Sequence, residues 1–208
     1  MLWFLISVLC LIIGVFFHLK SVEHIGLQEK YGKEKGIRLG KIYAMISSLE
    51  YIFWVGLWVS PQPLVIIPVI SNLTVLIVGL SIPILHLIIS LPIIAVGAWF
   101  GIEGVRETGM ELAETHCSPK KIINRGIYSV VRNPQYFGWL LAHIGISIFL
   151  SVGYSMLFTP VLAALIYQIS KKEENELIKE FGKEYEDYKR EVPMLIPRWK
   201  MFALQNTK

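Results

Sequence analysis

The 208-residue sequence predicts an all-α fold, a polytopic membrane helix bundle of about five crossings that ends in a helical hairpin with a cytosolic cap. Three observations predict it. Hydrophobic residues make up 54% of the chain and charged residues 17%, against about a quarter charged in soluble domains. The apolar residues come in runs rather than at amphipathic spacing, so lipid takes the place of a large water-excluding core. All 20 Lys and Arg residues fall in three blocks, 20–41, 106–132 and 171–208, which read as cytoplasmic by the positive-inside rule. Acids nearly balance the bases inside those blocks, which argues against a nucleic-acid surface. Cys10 lies in an apolar run and Cys117 in a polar one, so neither a disulfide framework nor a cysteine metal motif can be drawn.

Residues 1–19 carry no charged side chain, and about 20 apolar residues span a bilayer. They lack the basic start and the small-x-small end of a signal peptide, so a retained first span is expected. Residues 42–59 form a second span with one carboxylate, Glu50, which must face the protein interior, be protonated, or sit near a water-accessible helix end. No Asp, Glu, Lys or Arg occurs in 61–102, a stretch about 63 Å long as helix and twice the hydrocarbon thickness. Basic blocks on both flanks require an odd number of crossings if both are cytoplasmic and 60–63 is outside. The expectation is one crossing over 80–105, with 61–79 interfacial or re-entrant around Pro61, Pro63, Pro68 and Ser71-Asn72; an extra span is the alternative.

Residues 133–170 again lack charge, yet Arg132 and Lys171 at their ends should share one side, so the segment must enter and return. A hairpin turning near 150–154 at Gly153 meets that condition, with Asn133 as N-cap and Pro134 at the first helical position. Gly97-x-x-x-Gly101 suggests close helix packing. In 171–192, Leu177, Ile178, Phe181, Tyr185 and Tyr188 recur at helical spacing among charges, an amphipathic cytosolic helix bent at Gly182 and ended by Pro193 and Pro197. The chain therefore divides into N-terminal membrane helices (1–105), a C-terminal subdomain (106–200, comprising loop 106–133, hairpin 134–170 and helix 171–192) and a tail (201–208).

The segment 120–136 and the glutamates after the hairpin bring chemistry to one membrane face. Gly126 permits close backbone approach, Tyr128 and Tyr136 offer flat faces with polar tips, and the amides at 133–136 open a helix suited to an anion. An ion-pair belt of Arg132 with the glutamates and interfacial tyrosines would use the same residues. His116 and His143 could be bases, although a solvated loop histidine and a helix-packing histidine account for them; His18, His24 and His86 carry no signal. Trp54, Trp58, Trp99 and Trp139 read as belt or packing residues. The glycines at 97, 101 and 104 do not form a dinucleotide fingerprint, so a Rossmann-type pocket is excluded.

The pattern Gly126-x-Tyr128-x-x-x-Arg132-Asn133-Pro134-x-Tyr136-x-Gly138 is followed after the hairpin by Glu173-Glu174-x-x-Leu177-x-x-x-Phe181-Gly182-x-x-Tyr185-x-x-Tyr188-x-x-x-Val192-Pro193 and Ile196-Pro197. This resembles the isoprenylcysteine carboxyl methyltransferase family over roughly residues 100–200. The resemblance implies an integral membrane enzyme that moves a methyl group from S-adenosyl-L-methionine to the C-terminal carboxylate of a prenylated cysteine peptide or similar lipophilic molecule, leaving S-adenosyl-L-homocysteine. It implies cofactor contacts at Lys120, Lys121, Ile122, Ile123, Tyr128, Asn133, Pro134, Gln135, Tyr136 and the pair Glu173 and Glu174, with Arg132, Glu173 and Glu174 as the catalytic set. The active site would face the cytosol, with the bilayer as partner and neither a metal nor a nucleic acid involved. Two departures stand out: Asn133 replaces the usual histidine, and the arginine before the glutamates is missing, so that Arg132, Lys171 or Lys172 would serve the substrate carboxylate. A carboxylate nucleophile is already ionised at neutral pH, so no general base is expected. Phospholipid or other lipid-amine N-methylation, a sterol or enone reductase using NADPH, and a non-enzymatic membrane protein are the alternatives.

Overall fold

The computed structural model describes residues 1–65, 73–109 and 121–197. The helices are α1 (Leu2–Val22), α2 (His24–Tyr31), α3 (Lys33–Ser47), α4 (Glu50–Val59), α5 (Ile84–Thr108), α6 (Pro134–Phe149), α7 (Gly153–Phe181) and α8 (Lys183–Glu191). A 3-10 turn covers Gly126–Ser129, and strands β1 (Thr74–Ile77) and β2 (Leu80–Pro83) form a small antiparallel sheet. Among the described residues four segments are long and apolar enough to cross a membrane: Leu2–Val22, Lys33–Val59, Ile84–Thr108 and Gly153–Phe181. The first arm of the hairpin, α6, has 16 residues. At about 24 Å it is shorter than the hydrocarbon layer of about 30 Å. The result is an all-α polytopic membrane bundle, as the run lengths and charge blocks predict.

Side chains sort by face. Phe4 and Leu11 of α1, Trp54 and Leu57 of α4, and Leu162 and Ile166 of α7 form one buried cluster. Leu5, Leu9, Ile12 and Phe16 on α1 and Ile88, Leu91 and Ile102 on α5 stay exposed, as lipid-facing residues must in a bundle whose solvent is hydrocarbon. The α3–α4 segment breaks at Ser48-Leu49, where the Ser47 and Ser48 hydroxyls donate to the Ala44 and Met45 carbonyls and compete with the helix ladder.

Within 61–79 the described residues form no helix. Thr74–Ile77 and Leu80–Pro83 pair through a two-residue turn at Val78-Gly79, both at positive φ, and β-branched Thr, Val and Ile favour the strand. The expected crossing from Leu80 therefore starts late, at Ile84, after the strand has ended at Pro83. Residues 61–65 run extended to the hairpin turn, where Val65 N–H donates to Ser151 O at 2.8 Å and Gly153 N–H to Pro63 O at 3.0 Å. Pro68, Ser71 and Asn72 lie outside the described residues.

Nor does a boundary separate hairpin from cytosolic helix. Helix α7 runs 29 residues from Gly153 to Phe181 without a break at Lys171, because Ser170-Lys171-Lys172-Glu173 contains no helix breaker, and the chain turns only at Gly182, whose φ of 57° is a left-handed value. Helices α5 and α6 pack backbone to backbone. A Cβ added at Gly138 would lie 2.6 Å from the Gly97 carbonyl oxygen and 2.7 Å from the Gly101 nitrogen. Gly138→Ala should overpack this contact by about 1–3 kcal/mol and lower the Tm in detergent by several degrees. Gly101→Ala, whose methyl group meets nothing within 4 Å, should leave it unchanged.

Candidate active site

Three chain segments meet where α6 begins. Pro134 occupies the first helical position, where its missing N–H costs nothing. The residues before it pair with the segment that follows α8, Arg132 N–H donating to Pro193 O at 2.9 Å and Asn133 N–H to Met194 O at 3.1 Å. Arg132 grips Glu174 in a fork, Nε to Oε1 at 2.7 Å and Nη2 to Oε2 at 3.0 Å. Its Nη1 donates to the Lys189 carbonyl at 2.8 Å and to the Val192 carbonyl. Asn133 Nδ2 donates to Glu174 Oε1 at 3.2 Å, so the side chain expected to cap α6 serves the carboxylate instead. Lys189 Nζ lies 3.5 Å from Glu174 Oε2. With Arg132 8% and Glu174 1% exposed, this clamp fastens the start of α6, α7, α8 and residues 192–194 together. Glu174 was expected beside its neighbour in the cofactor pocket; it lies in the clamp, outside the cavity lining.

Above the clamp lies a cavity of about 190 Å³. Tyr128 and Glu173, 45 positions apart, both line it, as do Gln135 and Tyr136 at the start of α6. Lys121, Ile122 and Ile123 close one side, Arg132 and Asn133 form part of its floor, and Pro134 is buried below. Lys120 and His116 lie outside the described residues. Gln135 Nε2 donates to Thr108 Oγ1 at 3.2 Å and to Tyr128 Oη at 3.4 Å. Burial pushes the Tyr128 phenol above its ordinary range, and does the same to Tyr185 and Tyr188, so all three hydroxyls stay protonated near neutrality. Tyr188 donates to the Tyr128 carbonyl at 2.6 Å and fixes that turn against α8.

The first helices contribute more than the sequence suggests. Val22 and His24 line the cavity, together with Glu176, Leu177, Tyr185 and Tyr188 from the C-terminal helices. On the membrane side, His18 Nδ1 lies 3.0 Å from Glu50 Oε1 and its Nε2 3.1 Å from Tyr136 Oη, which donates in turn to Glu173 Oε1. His18 and Glu50 are 3% and 6% exposed. A second, apolar crevice of about 30 Å³ lies deeper, between Leu11, Glu50, Trp54, Trp139 and Ile166, and Tyr136 lines both hollows. Trp54 and Trp139, read as belt or packing residues, border it. His143 is a packing residue: it accepts from Trp54 Nε1 at 3.1 Å and its other nitrogen contacts Ser155 O at 3.1 Å. The signal that could have found His18 and Glu50 was their lone polarity inside two apolar runs, since each needs a partner in the bilayer.

The comparisons with known proteins fall on the same segment. The family described as phospholipid methyltransferase matches residues 85–184. Among similar proteins, a methanethiol S-methyltransferase of Bradyrhizobium diazoefficiens is 35% identical over 108 residues, 52% of this chain and 40% of the relative. A protein-S-isoprenylcysteine O-methyltransferase of Dictyostelium discoideum is 35% identical over 77 residues, 36% of this chain and 32% of the relative. The Mus musculus protein of the same name is 32% identical over 96 residues, 42% of this chain and 30% of the relative. The chain thus spans at most 40% of the length of these relatives. No solved structure matches the chain.

The clamp makes its own prediction. Glu174→Leu leaves the Arg132 guanidinium buried without a counter-ion, and thermal unfolding in detergent should show a loss of about 3–5 kcal/mol. The double variant Arg132→Met, Glu174→Leu should recover part of that loss, because both desolvated charges are gone.

Proposed function

We propose that this protein transfers a methyl group from S-adenosyl-L-methionine to the nucleophile of a lipophilic acceptor that reaches the site from the bilayer. One observation carries the reading: the larger cavity, walled by Tyr128 and carrying Glu173, shares Tyr136 with an apolar crevice inside the membrane bundle. The donor set fits the cofactor. Tyrosine rings offer faces for a nucleoside, Glu173 offers a carboxylate for hydroxyls or an amino group, and Gln135 adds an amide. When bound, the cofactor supplies an activated methyl group on a sulfonium for in-line displacement.

The residues of the chain then have defined tasks. Tyr128 is held by Gln135 and by burial as a neutral donor, and Glu173 is oriented by the Tyr136 hydroxyl. The α6 start and α8 wall the cavity and would hold donor and acceptor in line, an alignment worth about 7–11 kcal/mol of barrier. Arg132 and Glu174, expected among the catalytic residues, act here as positioning residues for the cavity floor. Lys121 and Arg132 line the cavity and Lys189 lies 3.5 Å from Glu174, and basic residues at this end of the bundle support a cytosolic orientation by the positive-inside rule. Division at residue 105 separates the elements that build most of the cavity from those that complete it, with α1 crossing that division through His18 and Val22.

The names of the relatives support two acceptors. Proteins named for isoprenylcysteine support the carboxylate acceptor that the resemblance implies, and those named for methanethiol support a thiol. Titrating S-adenosyl-L-homocysteine into detergent-solubilised protein tests the shared part. Wild type should bind, and Tyr128→Ala and Glu173→Gln should each weaken Kd about tenfold, or about 1.4 kcal/mol. Binding unchanged in both variants would remove the site assignment.

A further inference from the structure

We infer that the acceptor is a neutral lipophilic thiol and that the buried pair Glu50 and His18 takes up its proton as the methyl group arrives. The inference rests on the proposed methyl transfer and deepens it. Three observations carry it.

The first is an unfilled acceptor. Glu50 is 6% exposed and lines the apolar crevice, yet its Oε2 has no hydrogen-bond partner, while Oε1 is held by His18 at 3.0 Å. A buried carboxylate oxygen without a donor is costly, and a ligand that brings a donor hydrogen relieves the cost. A thiol S–H brings one. A carboxylate brings only further acceptors.

The second is charge. The groups facing this point are His18 on α1, Glu50 and Tyr51 on α4, Tyr136 on α6 and Glu173 on α7. Tyr136 has one hydroxyl hydrogen, which it gives to Glu173, so the contact at 3.1 Å from His18 Nε2 is satisfied when the imidazole donates. With Nδ1–H donated to Glu50 as well, two carboxylates flank one imidazolium and the group carries a net negative charge. A third carboxylate would be repelled. Of the three bases expected to pair a substrate carboxylate, Arg132 is engaged by Glu174 and Lys172 by Glu23 at 3.2 Å.

The third is continuity. From Glu50 the contacts run through His18 and Tyr136 to Glu173, which lines the cofactor cavity, so a proton taken up in the crevice has a bonded route to the polar side. The step balances. The thiol sulfur forms a bond to the methyl carbon with the electron pair of its S–H bond, the proton passes to Glu50 Oε2, and the carbon–sulfonium pair returns to the departing sulfur, giving a neutral thioether on each side.

The test compares four acceptors with wild-type protein in detergent micelles: 1-octanethiol, octanoate, octylamine and N-acetyl-S-farnesylcysteine. Methyl octyl sulfide should form at a rate at least 100-fold above methylation of the other three. Glu50→Gln should bind S-adenosyl-L-homocysteine within twofold of wild type and lose about 10²–10⁴ in kcat with the thiol, the range for a removed general base. The variant's residual rate should climb about tenfold per pH unit below the pKa of the free thiol, about 8.5 for cysteine, because only preformed thiolate reacts, while wild type shows no such slope. Ester formation from octanoate or the farnesyl compound, or amine methylation, at a rate matching the thiol overturns the inference. So does a Glu50→Gln kcat within threefold of wild type, or no turnover of any acceptor by protein that binds the nucleoside. Failure of wild type to bind S-adenosyl-L-homocysteine sinks the proposed function instead. The four-acceptor comparison needs no variant, so a Glu50→Gln protein that fails to fold leaves it decisive.

Discussion

The fork between Arg132 and Glu174 is the constraint on which the rest of the polar end depends. A guanidinium and a carboxylate removed from water lose several kcal/mol of hydration each, and the loss is offset only if every remaining donor and lone pair finds a partner. Arg132 meets that demand with two carbonyls from the end of α8, and Glu174 with Asn133 and Lys189. Those partners come from the start of α6, from α7, from α8 and from Val192 just beyond it, so satisfying one ion pair fixes the relative placement of these elements. The cavity is what is left above that assembly.

A second rule governs the membrane side. In hydrocarbon a polar side chain must find another, and the polar residues of the apolar helices do so across long sequence separations: His18 with Glu50 and Tyr136, Trp54 with His143, and His86 with Ser151 at 2.7 Å. The first and third of these sit at opposite ends of the bundle, the first reaching Tyr136 beside the cavity and the third at the hairpin turn. Close backbone approach makes room for them. At Gly14 a Cβ would lie 2.8 Å from that of Glu50, which lets α1 and the start of α4 touch.

Much of this was legible from composition and spacing. Runs without charge and three basic blocks give the bundle, and the paired patterns around Arg132 and Glu173 bring Tyr128, Gln135, Tyr136 and Glu173 to one cavity. What was not legible depends on tertiary choice. Adjacent glutamates on one helix point 100° apart, so Glu173 and Glu174 part company, and which of them meets Arg132 is decided by packing. Leu80–Pro83 has the apolarity of a helix start, and pairing with Thr74–Ile77 wins locally. His18 and Glu50 are 32 positions apart on separate helices, and no local pattern links them.

The unbroken course of α7 makes it a ruler. Ile166 and Ile169 border the apolar crevice and Glu173 the polar cavity, and a helical rise of 1.5 Å per residue sets Ile169 and Glu173 about 6 Å apart along one axis. The two hollows are graduations on the same rod, with no hinge between them to alter their spacing. In the proposed reaction an acceptor tail seated against the isoleucines would present its reactive end at a fixed height beneath the cofactor cavity, so the enclosure would measure length as well as chemistry.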